Sequence, residues 1–435
     1  MKFWRGWLAV IVALAVFAGL FSACDFRLPD ELLASGNGEA TPAATAASTA
    51  TAEPTIPPTA TPSGPLSLKL WLPPQFDPDA GTPAGNILKA RLAEFSARKP
   101  NVQVEVRIKD IEGPGGLLDM LATASTAAHQ VLPDLVILPS EHLETAALQG
   151  WLYSFDNLSA QLDDPDWFGF AREMARAQKN TFGMPFAVDA LVQVFHPQAV
   201  PEPVSDLAGI LTGTLPFVFT AADPLAAFTH ALYLDADGAT RDEQGKPALD
   251  AAKLEEVLTF FQEANSAGVL PYWLSGLQSD DQSWQAFQDG RTDQVVTWAS
   301  RYLTNGGETE ALAPIPTQNG NPLSVGSGWA WALTSPEPSH HPASVQLAEF
   351  LTESGFLSSW TEALRLLPTR PSSLQAWADS RRADELLPVA DSLRLYPPQE
   401  VLDSLGKALE KATVDVLKEL AGPKEAAQTA AESFK

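Results

Sequence analysis

Residues 182–196 read Phe-Gly-Met-Pro-Phe-Ala-Val-Asp-Ala-Leu-Val-Gln-Val-Phe-His, and this stretch decides the fold of the chain. A Gly-x-Pro-aromatic turn leads directly into a strand of alternating apolar residues, and one acidic residue, Asp189, stands at the junction. Such a segment can leave one lobe of a protein, enter a second lobe and present a side chain to the space between them. The stretch therefore has what a segment that connects two lobes of an α/β protein needs.

The chain opens with a pattern typical of an export signal. Lys2 and Arg5 precede an apolar stretch from Leu8 to Phe21, and Ser22-Ala23-Cys24 follows. A basic start, a short apolar centre and small residues before the cleavage point predict a secretory signal over residues 1–23.

Cys24 is the only cysteine among the 435 residues, which excludes a disulfide framework. A single cysteine directly after Ser-Ala resembles a lipobox, in which the thiol is acylated and becomes the new N-terminus. Phe21 departs from that motif, which usually carries leucine there. The alternatives to acylation are an uncleaved anchor helix and a soluble product. Acylation and an anchor both predict a protein held at the outer face of the cell membrane.

Residues 24–65 are predicted to form a disordered stalk behind a lipid anchor. From Ser35 to Pro65 the chain has no aromatic residue, one large aliphatic residue, Ile56, and mostly Ala, Thr, Pro and Ser. Such a segment buries too little apolar surface to offset the entropy lost on ordering. Its reach is roughly 30 Å as a coil and up to roughly 95 Å as a polyproline helix.

The remaining residues, 66–435, are too many for a single hydrophobic core and fit two intertwined lobes. The formal net charge of the whole chain is −25. This charge makes nucleic acid and bare anionic lipid poor partners. Solubility outside the cell explains the acidity better than an acidic functional face does.

A repeated strand and helix pattern opens the folded part. Residues 66–72 and 102–108 alternate with period two and predict strands, and an apolar stripe over residues 85–98 predicts a helix between them. Strand, helix and strand within 45 residues form a βαβ unit, which implies a parallel sheet. A helix near 117–128 and a buried strand at 135–138 follow.

This order of elements is similar to the N-terminal lobe of extracellular solute-binding protein family 1, the maltose-binding-protein-like substrate-binding lipoproteins of ABC importers. The resemblance rests on Lys99-Pro-Asn-Val-Gln-Val, Pro133-Asp-Leu-Val-Ile-Leu and Gly150-Trp-Leu-Tyr-Ser-Phe-Asp. Each motif is weak alone, and their order at these spacings is specific. Later segments at 287–298, 326–335 and 367–373 extend the resemblance, which reaches a helix with an apolar stripe from Val401 to Leu420.

The resemblance implies the type II periplasmic-binding-protein fold, in which each lobe is a mixed, mostly parallel sheet flanked by helices. The N-lobe would comprise residues 66–187 plus 326–360, and the C-lobe residues 188–325 plus 361–435. Hinge crossings between the lobes are expected near Pro185–Asp189, Leu323–Gly328 and Phe356–Leu364.

Aromatic residues are the first group of candidate ligand contacts, because an indole face suits stacking on a sugar ring as well as it suits a packed core. Trp71 ends the first strand, at the sheet edge where ligands bind in α/β proteins. Trp298 follows a strand-like segment. Trp329 lies in a glycine-rich crossing, where missing side chains let a ligand approach the backbone. Trp273 and Tyr302 are weaker candidates.

Acidic residues form the second group. By resemblance, Asp189 corresponds to the acid that accepts hydrogen bonds from ligand hydroxyls, and a carboxylate can take two such donors; a helix cap or a hinge salt bridge is the alternative. Glu141 and the adjacent His142 follow the predicted strand at 135–138 and are further candidates. Phe186 could stack on the ligand or hold the hinge turn.

One pair departs from the family. After the hinge strand the family usually has Tyr-Asn, and this chain has Phe195-His196. The phenol and the carboxamide are both absent, so the ligand preference of this chain could differ from that of its relatives.

Catalytic and metal-binding patterns are absent from the sequence. There is no His-x-x-x-His, Gly-x-Ser-x-Gly or phosphate-binding glycine loop. Asp235-Ala-Asp237-Gly238 resembles the start of a calcium loop, but Lys246 occupies the position that needs glutamate. We therefore expect no enzyme activity, no cofactor and no metal.

The sequence predicts a monomeric, membrane-anchored receptor that closes on a small polar solute, with a carbohydrate as the favoured class, and delivers it to the permease subunits of an ABC importer. The alternative is a surface sensory or adhesive lipoprotein with the same fold and no transport role. The long stalk and Phe195-His196 are the features that favour this alternative.

Overall fold

The computed structural model describes residues 65–434. The predicted signal, Cys24 and almost all of the predicted stalk lie outside the described residues. The predictions for these segments therefore stay predictions.

Strands are numbered β1–β12 along the described residues. They are β1 Leu66–Leu72, β2 Val102–Ile108, β3 Leu135–Pro139, β4 Arg176–Ala177, β5 Asn180–Thr181, β6 Gly183–Phe195, β7 Phe217–Val218, β8 Gln294–Trp298, β9 Ala311–Ala313, β10 Ser324–Leu333, β11 Leu367–Pro368 and β12 Leu393–Leu395.

Helices are numbered α1–α15 in the same way. They are α1 Pro83–Arg98, α2 Leu117–Ala127, α3 Ser140–Leu148, α4 Gly169–Met174, α5 Leu207–Leu211, α6 Ala227–Asp235, α7 Ala251–Ser266, α8 Asp280–Gln288, α9 Ala299–Asn305, α10 His341–Phe350, α11 Ser354–Leu364, α12 Pro371–Gln375, α13 Ser380–Asp391, α14 Gln399–Leu417 and α15 Pro423–Glu432. Short 3-10 helices occur at 74–76, 129–131, 161–163 and 272–276.

The main sheet has the order β2-β1-β3-β10-β6-β8-β7. The predicted βαβ unit is present, because β1 pairs in parallel with both β2 and β3. β10 then joins the sheet antiparallel to β3 and β6. The sheet is therefore mixed, as the fold class requires, with parallel pairs at both ends, β2-β1-β3 and β8-β7.

β6 and β10 carry the chain from one half of the sheet to the other. The first part of β6 pairs with β10, whereas its last five residues pair with β8 and three of them also pair with β9. We call the half around β1–β3 with its helices the first lobe, and the half around β7–β9 with its helices the second lobe. The stretch at 182–196 thus occupies the connecting position that its sequence predicts.

Each lobe has its own hydrophobic core. In the first lobe the leucines of β1 pack on one face of the sheet with Phe186 and Trp360, and Trp71 packs on the other face with Leu117 and Leu121 of α2. In the second lobe a larger core surrounds Phe261 of α7. The two cores explain why so long a chain needs two lobes.

The third crossing comes slightly later than the sequence predicts. Residues 356–364 belong to α11, and Trp360 of this helix is fully buried in the core of the first lobe. Arg365 then adopts a left-handed conformation with φ of 61° and ends the helix. Leu366 still packs on the first core, whereas Leu367 packs on the second. The chain therefore changes core between these two leucines.

The C-terminal helix is shorter than its apolar stripe predicts. α14 ends at Leu417, because Glu419 is left-handed with φ of 57°, and Leu420 is 70% exposed. A second helix, α15, begins at Pro423. No helix within residues 65–434 has the length and apolar character needed to cross a membrane.

Candidate functional site

A cavity of about 910 Å³ lies between the two lobes. Its walls come from α3 of the first lobe, from α8, α9 and the start of α14 of the second lobe, and from the crossing strands β6 and β10. The polar and aromatic lining includes Gln75, Glu112, Glu141, His142, Asp189, Asp280, Trp298, Ser300, Arg301, Asn305, Ser327, Trp329, Arg365, Tyr396 and Gln399.

Asp189 is partly exposed to this cavity and caps a helix. Its Oδ1 accepts hydrogen bonds from the backbone N–H groups of Ala190 and Ser300, both at 3.0 Å, and its Oδ2 accepts from the Ser300 hydroxyl at 2.5 Å. Ser300 lies in the first turn of α9. The carboxylate therefore has the helix-capping role that was the alternative interpretation, while it also lines the cavity.

The protonation of Asp189 is unusual. Burial of the carboxyl raises its pKa to about 6, and the nearby charge of Asp280 adds to this rise. The hydrogen bonds from Ser300 favour the ionised form and act in the opposite direction. Burial is the dominant cause. Asp189 can therefore change its charge near pH 6.

Glu141 is 6% exposed and stands in the first turn of α3. The hydroxyl of Ser140 donates to its Oε2 at 3.2 Å, and that hydroxyl accepts from the backbone N–H of Gly328 at 3.0 Å. Burial raises the pKa of Glu141, and hydrogen bonding from the Ser327 and Ser140 hydroxyls limits the rise. The helix thus fixes a desolvated carboxylate against the crossing strand β10.

Two of the predicted tryptophans line the cavity. Trp329 is half-buried, and its ring meets Phe76 edge to face with centroids 5.1 Å apart. Trp298, also half-buried, lies 6.2 Å from the ring of Tyr396. Because Trp329 belongs to β10 and Trp298 ends β8, the cavity has an indole from each lobe.

Arg301 is a cationic residue of the lining and is already paired. Its Nε donates to Asp280 Oδ2 at 2.9 Å, and its Nη2 forms an ion pair with Asp281. Thr297 donates to the second oxygen of Asp280 at 2.6 Å. This network orients the second-lobe wall and pairs the guanidinium with two carboxylates.

Two buried polar groups of the lining have no partner among the described residues. Tyr396 is 5% exposed with an unbonded hydroxyl, and His142 is 4% exposed with an unbonded Nδ1. Burial, together with the charges of nearby acids that include Glu141 and Asp189, raises the pKa of Tyr396 well above its usual value. Burial also lowers the pKa of His142. Both groups are therefore neutral donors or acceptors at the cavity wall.

Trp71 does not line the cavity, contrary to the position that the strand pattern predicts. It is 1% exposed and packs against α2. The alternation of β1 places Trp71 correctly on the face opposite the leucines. That face is not open, however, because α2 covers it.

Three more of the predicted ligand contacts lie outside the cavity lining: Phe186, Trp273 and Tyr302. Phe186 is fully buried and stacks on Trp360 with centroids 4.9 Å apart, so it holds the hinge turn. Trp273 packs on the guanidinium of Arg291 at 3.9 Å. Tyr302 is fully buried and donates to Glu385 at 2.9 Å. The structure gives all three a packing role.

The glycines of β10 make room for the protein itself. A Cβ on Gly326 would lie 2.3 Å from the carbonyl oxygen of Asp189, and one on Gly328 would lie 2.3 Å from the sulfur of Met174. The expectation that these glycines let a ligand approach the backbone is therefore corrected. They let β10 approach β6 and α4.

The Phe195-His196 pair is remote from the lining. Phe195 is 5% exposed, and the ring of His196 stacks on Phe287 with centroids 4.3 Å apart. His196 also lies 3.6 Å from Asp293. The pair that departs from the family pattern thus packs within the second lobe, outside the cavity lining.

Sequence reasoning misses several lining residues. Ser300, Arg301 and Asp280 belong to short helices whose starts carry no distinctive motif. Tyr396 is a single aromatic residue before Pro397-Pro398, and no periodicity marks it. The acidic pair Asp280-Asp281, followed by Arg301 twenty residues later, is the only signal that could have been noticed. Within residues 65–434 no cluster of three or more metal-ligating side chains occurs.

A cleft between two lobes that share crossing strands, lined with indoles and carboxylates, defines a binding protein of the periplasmic type. The chain belongs to the bacterial extracellular solute-binding protein family, whose model matches residues 90–388. This confirms the resemblance found in the sequence. The family consists of substrate-binding proteins rather than enzymes and indicates an extracytoplasmic location. No curated protein matches the chain.

Solved structures share the fold. The cyclic α-maltosyl-1,6-maltose binding protein of Arthrobacter globiformis is 14% identical, with a TM-score of 0.69 over 85% of this chain and 98% of that one. The maltose-binding periplasmic protein MalE of Listeria monocytogenes, in complex with maltose, is 14% identical with a TM-score of 0.67 over 85% and 96%. The GacH receptor of Streptomyces glaucescens is 17% identical with a TM-score of 0.61 over 85% and 97%. These likenesses confirm the two-lobed fold class.

Proposed function

We propose that this protein is a membrane-anchored solute receptor that captures a carbohydrate between its lobes and delivers it to the permease subunits of an ABC importer. The observation that carries the proposal is the cavity itself, which has an indole from each lobe and carboxylates at the crossing strands. Aromatic faces and acidic acceptors are what a sugar ring with many hydroxyl donors requires. The maltose and maltodextrin ligands of similar structures support the same class of solute.

The proposed contacts are the predicted residues that line the cavity: Trp298, Trp329, Glu141, Asp189 and His142. The two indoles belong to different lobes, so a ligand stacked between them would contact both only when the lobes are close. Closure then gains free energy from contacts that an open state lacks. The receptor would work by this change of shape, without catalysis.

A binding experiment tests the first part of the proposal. The purified full-length protein, in mild detergent, is titrated by calorimetry with a panel of neutral, acidic and amine-bearing mono- and oligosaccharides. Saturable one-to-one binding, with a change of tryptophan fluorescence, is the expected result. If no saccharide binds, the carbohydrate part of the proposal is wrong.

The transport part needs a second experiment. Cells that lack this protein should lose uptake of the labelled sugar, and the intact gene should restore it. Normal uptake without the protein would favour the sensory or adhesive alternative. The position of Phe195-His196 outside the cavity removes one of the two features that favoured that alternative.

Anchoring is tested by labelling. Growth with a radioactive fatty acid should label the wild-type protein and leave the Cys24→Ser variant unlabelled. An unlabelled wild-type protein that stays with the membrane would instead indicate an uncleaved anchor helix.

A further inference from the structure

Four residues of the cavity lining meet at the crossing strands. We call them the cleft floor: Glu141, Ser327, Asp189 and Tyr396. Ser327 of β10 stands directly opposite Asp189 of β6 in the antiparallel register, which places their β-carbons roughly 5 Å apart on one face. The Ser327 hydroxyl also lies close enough to Glu141 to favour the ionised form of that carboxyl. The backbone N–H of Tyr396 donates to the carbonyl of Gly326 at 2.9 Å. Two carboxylates thus flank one hydroxyl.

The cleft floor presents acceptors and almost no free donors. The hydroxyls of Ser140 and Ser300 each donate to a carboxylate of the floor. Ionised carboxylates accept only, and each has lone pairs beyond those used here. The remaining polar groups of the floor are the hydroxyls of Ser327 and Tyr396; Tyr396 is 5% exposed, and its hydroxyl has no partner among the described residues. A ligand group that fits this surface must bring hydrogen-bond donors.

The cleft floor also lacks a compensating positive charge. Among residues 65–434 no Lys or Arg side chain forms an ion pair with Glu141 or Asp189. The cavity lining contains two arginines. Arg301 is paired with Asp280 and Asp281, and Arg365, directly after α11, forms no ion pair with either carboxylate of the floor. Desolvated carboxylates without a partner are costly, and a ligand cation between them would remove much of that cost.

We propose that the solute carries a protonated amine and that this amine binds on the cleft floor between Glu141 and Asp189. An ammonium has three donors and no acceptor, which matches two carboxylates and the oxygen of Tyr396. The indole faces of Trp298 and Trp329 favour the same charge, because a cation is attracted to an aromatic face. This inference rests on the proposed function and narrows it to amine-bearing sugars.

The same chemistry could come from an amino sugar or from a linear polyamine, and the experiment separates them. The full-length protein is titrated at pH 7 with pairs of sugars that differ only in an amine or a hydroxyl, such as glucosamine and glucose, and their β-1,4-linked dimers. Spermidine is the third arm. The amine-bearing member should bind at least tenfold more tightly.

Two variants test the location, and one is a matched control. Glu141→Gln and Asp189→Asn keep the shape of each side chain and should each reduce the preference for the amine to less than threefold. Asp384→Asn removes an equal charge at an exposed site outside the cavity and should leave the preference unchanged. Thermal unfolding verifies that each variant is folded.

The outcomes are distinct. Equal affinity for amine and hydroxyl sugars, or a preference that survives both substitutions, overturns the inference and leaves the proposed function intact. Binding of spermidine alone supports the amine site and overturns the carbohydrate part of the proposed function. Binding of nothing in the panel overturns both.

Discussion

The indoles of the cleft differ from the other tryptophans in what surrounds them. Trp71, Trp331 and Trp360 are almost completely buried with unbonded indole nitrogens, so they contribute apolar area to a core. Trp298 and Trp329 keep part of their faces open to the cavity. At the scale of one residue, exposure to the cavity separates a binding tryptophan from a packing one.

We predict that Trp329→Ala weakens binding of the preferred sugar about tenfold or more, equivalent to about 1.4 kcal/mol, because a stacking face is lost. Trp298→Ala should act similarly. Calorimetry measures both. Trp273→Ala is the control, since Trp273 lies outside the lining and packs on Arg291. An equal loss in the control would show that the effect is not specific to the cleft.

The pKa of Asp189 predicts how the stability of the folded protein changes with pH. Its pKa is about 6 in the folded protein, above the ordinary value of 3.8. Between about pH 4 and 6 the folded protein therefore retains a proton that the unfolded chain has released. By linkage, raising the pH through this window lowers the stability of the folded state, and Asp189→Asn removes this loss.

The expected observation is a difference between two thermal unfolding temperatures. The melting temperature of the Asp189→Asn variant, minus that of the wild type, should rise from pH 4 to pH 6 and level off above it. Asp384→Asn should show no such rise. A difference that is constant over pH 4–7 would mean that Asp189 titrates at its ordinary pKa.

Among the secondary-structure elements, β10 packs closely against its neighbours at its glycines. The carbonyl oxygen of Asp189, a backbone atom that cannot easily move, lies 2.3 Å from the position of a Cβ on Gly326. We predict that Gly326→Ala destabilises the protein by about 1–3 kcal/mol. The urea unfolding midpoint measures the change.

Gly355→Ala is the matched substitution. Gly355 lies in the first turn of α11, and its Cβ would meet nothing within 4 Å. Alanine is a better helix former than glycine by up to about 1 kcal/mol, so this variant should be equal to or slightly more stable than the wild type. If both alanine variants unfold at the wild-type midpoint, close packing of β10 on β6 is not what requires glycine.

Most elements of the fold could be predicted because their signals are local. Period-two alternation gave β1 and β2, an apolar stripe gave α1, and a continuous apolar run gave β3. The end of α14 could not be predicted, since the stripe continues to Leu420 and only the left-handed Glu419 stops the helix. Backbone conformation at one residue leaves no trace in a hydrophobic pattern.

The site was harder to predict because it depends on contacts that are distant in sequence. Asp189 could be identified from its junction between turn and strand. Its partner Ser300 is 111 residues away, and Tyr396 joins the same floor from still farther along the chain. The covering of Trp71 by α2 is a tertiary fact of the same kind. Alternation along a strand assigns a side chain to one face of the sheet, but it does not show whether a helix covers that face.

At the scale of the whole molecule, an ion pair between Arg241 and Glu144 joins the lobes away from the crossing strands. Arg241, between α6 and α7 of the second lobe, lies 3.2 Å from Glu144 of α3 in the first lobe. Both side chains are about one-third exposed. The pair spans the lobes, and α3 also supplies Glu141 to the cavity. Rotation of the lobes apart should break it, so it should favour the closed, binding-competent state.

We predict that Arg241→Gln weakens ligand binding without touching the cavity. A partly exposed ion pair contributes about 0.2–1 kcal/mol, and losing it from the closed state alone reduces affinity by up to about fivefold. The reduction should be largest at low ionic strength, because salt screens the wild-type pair.

Lys89→Gln is the control, since its partner Asp79 belongs to the same lobe. Calorimetry at low and high salt should show converging wild-type and Arg241→Gln affinities as salt increases. Affinities that differ equally at both salt concentrations would show that the pair does not control closure.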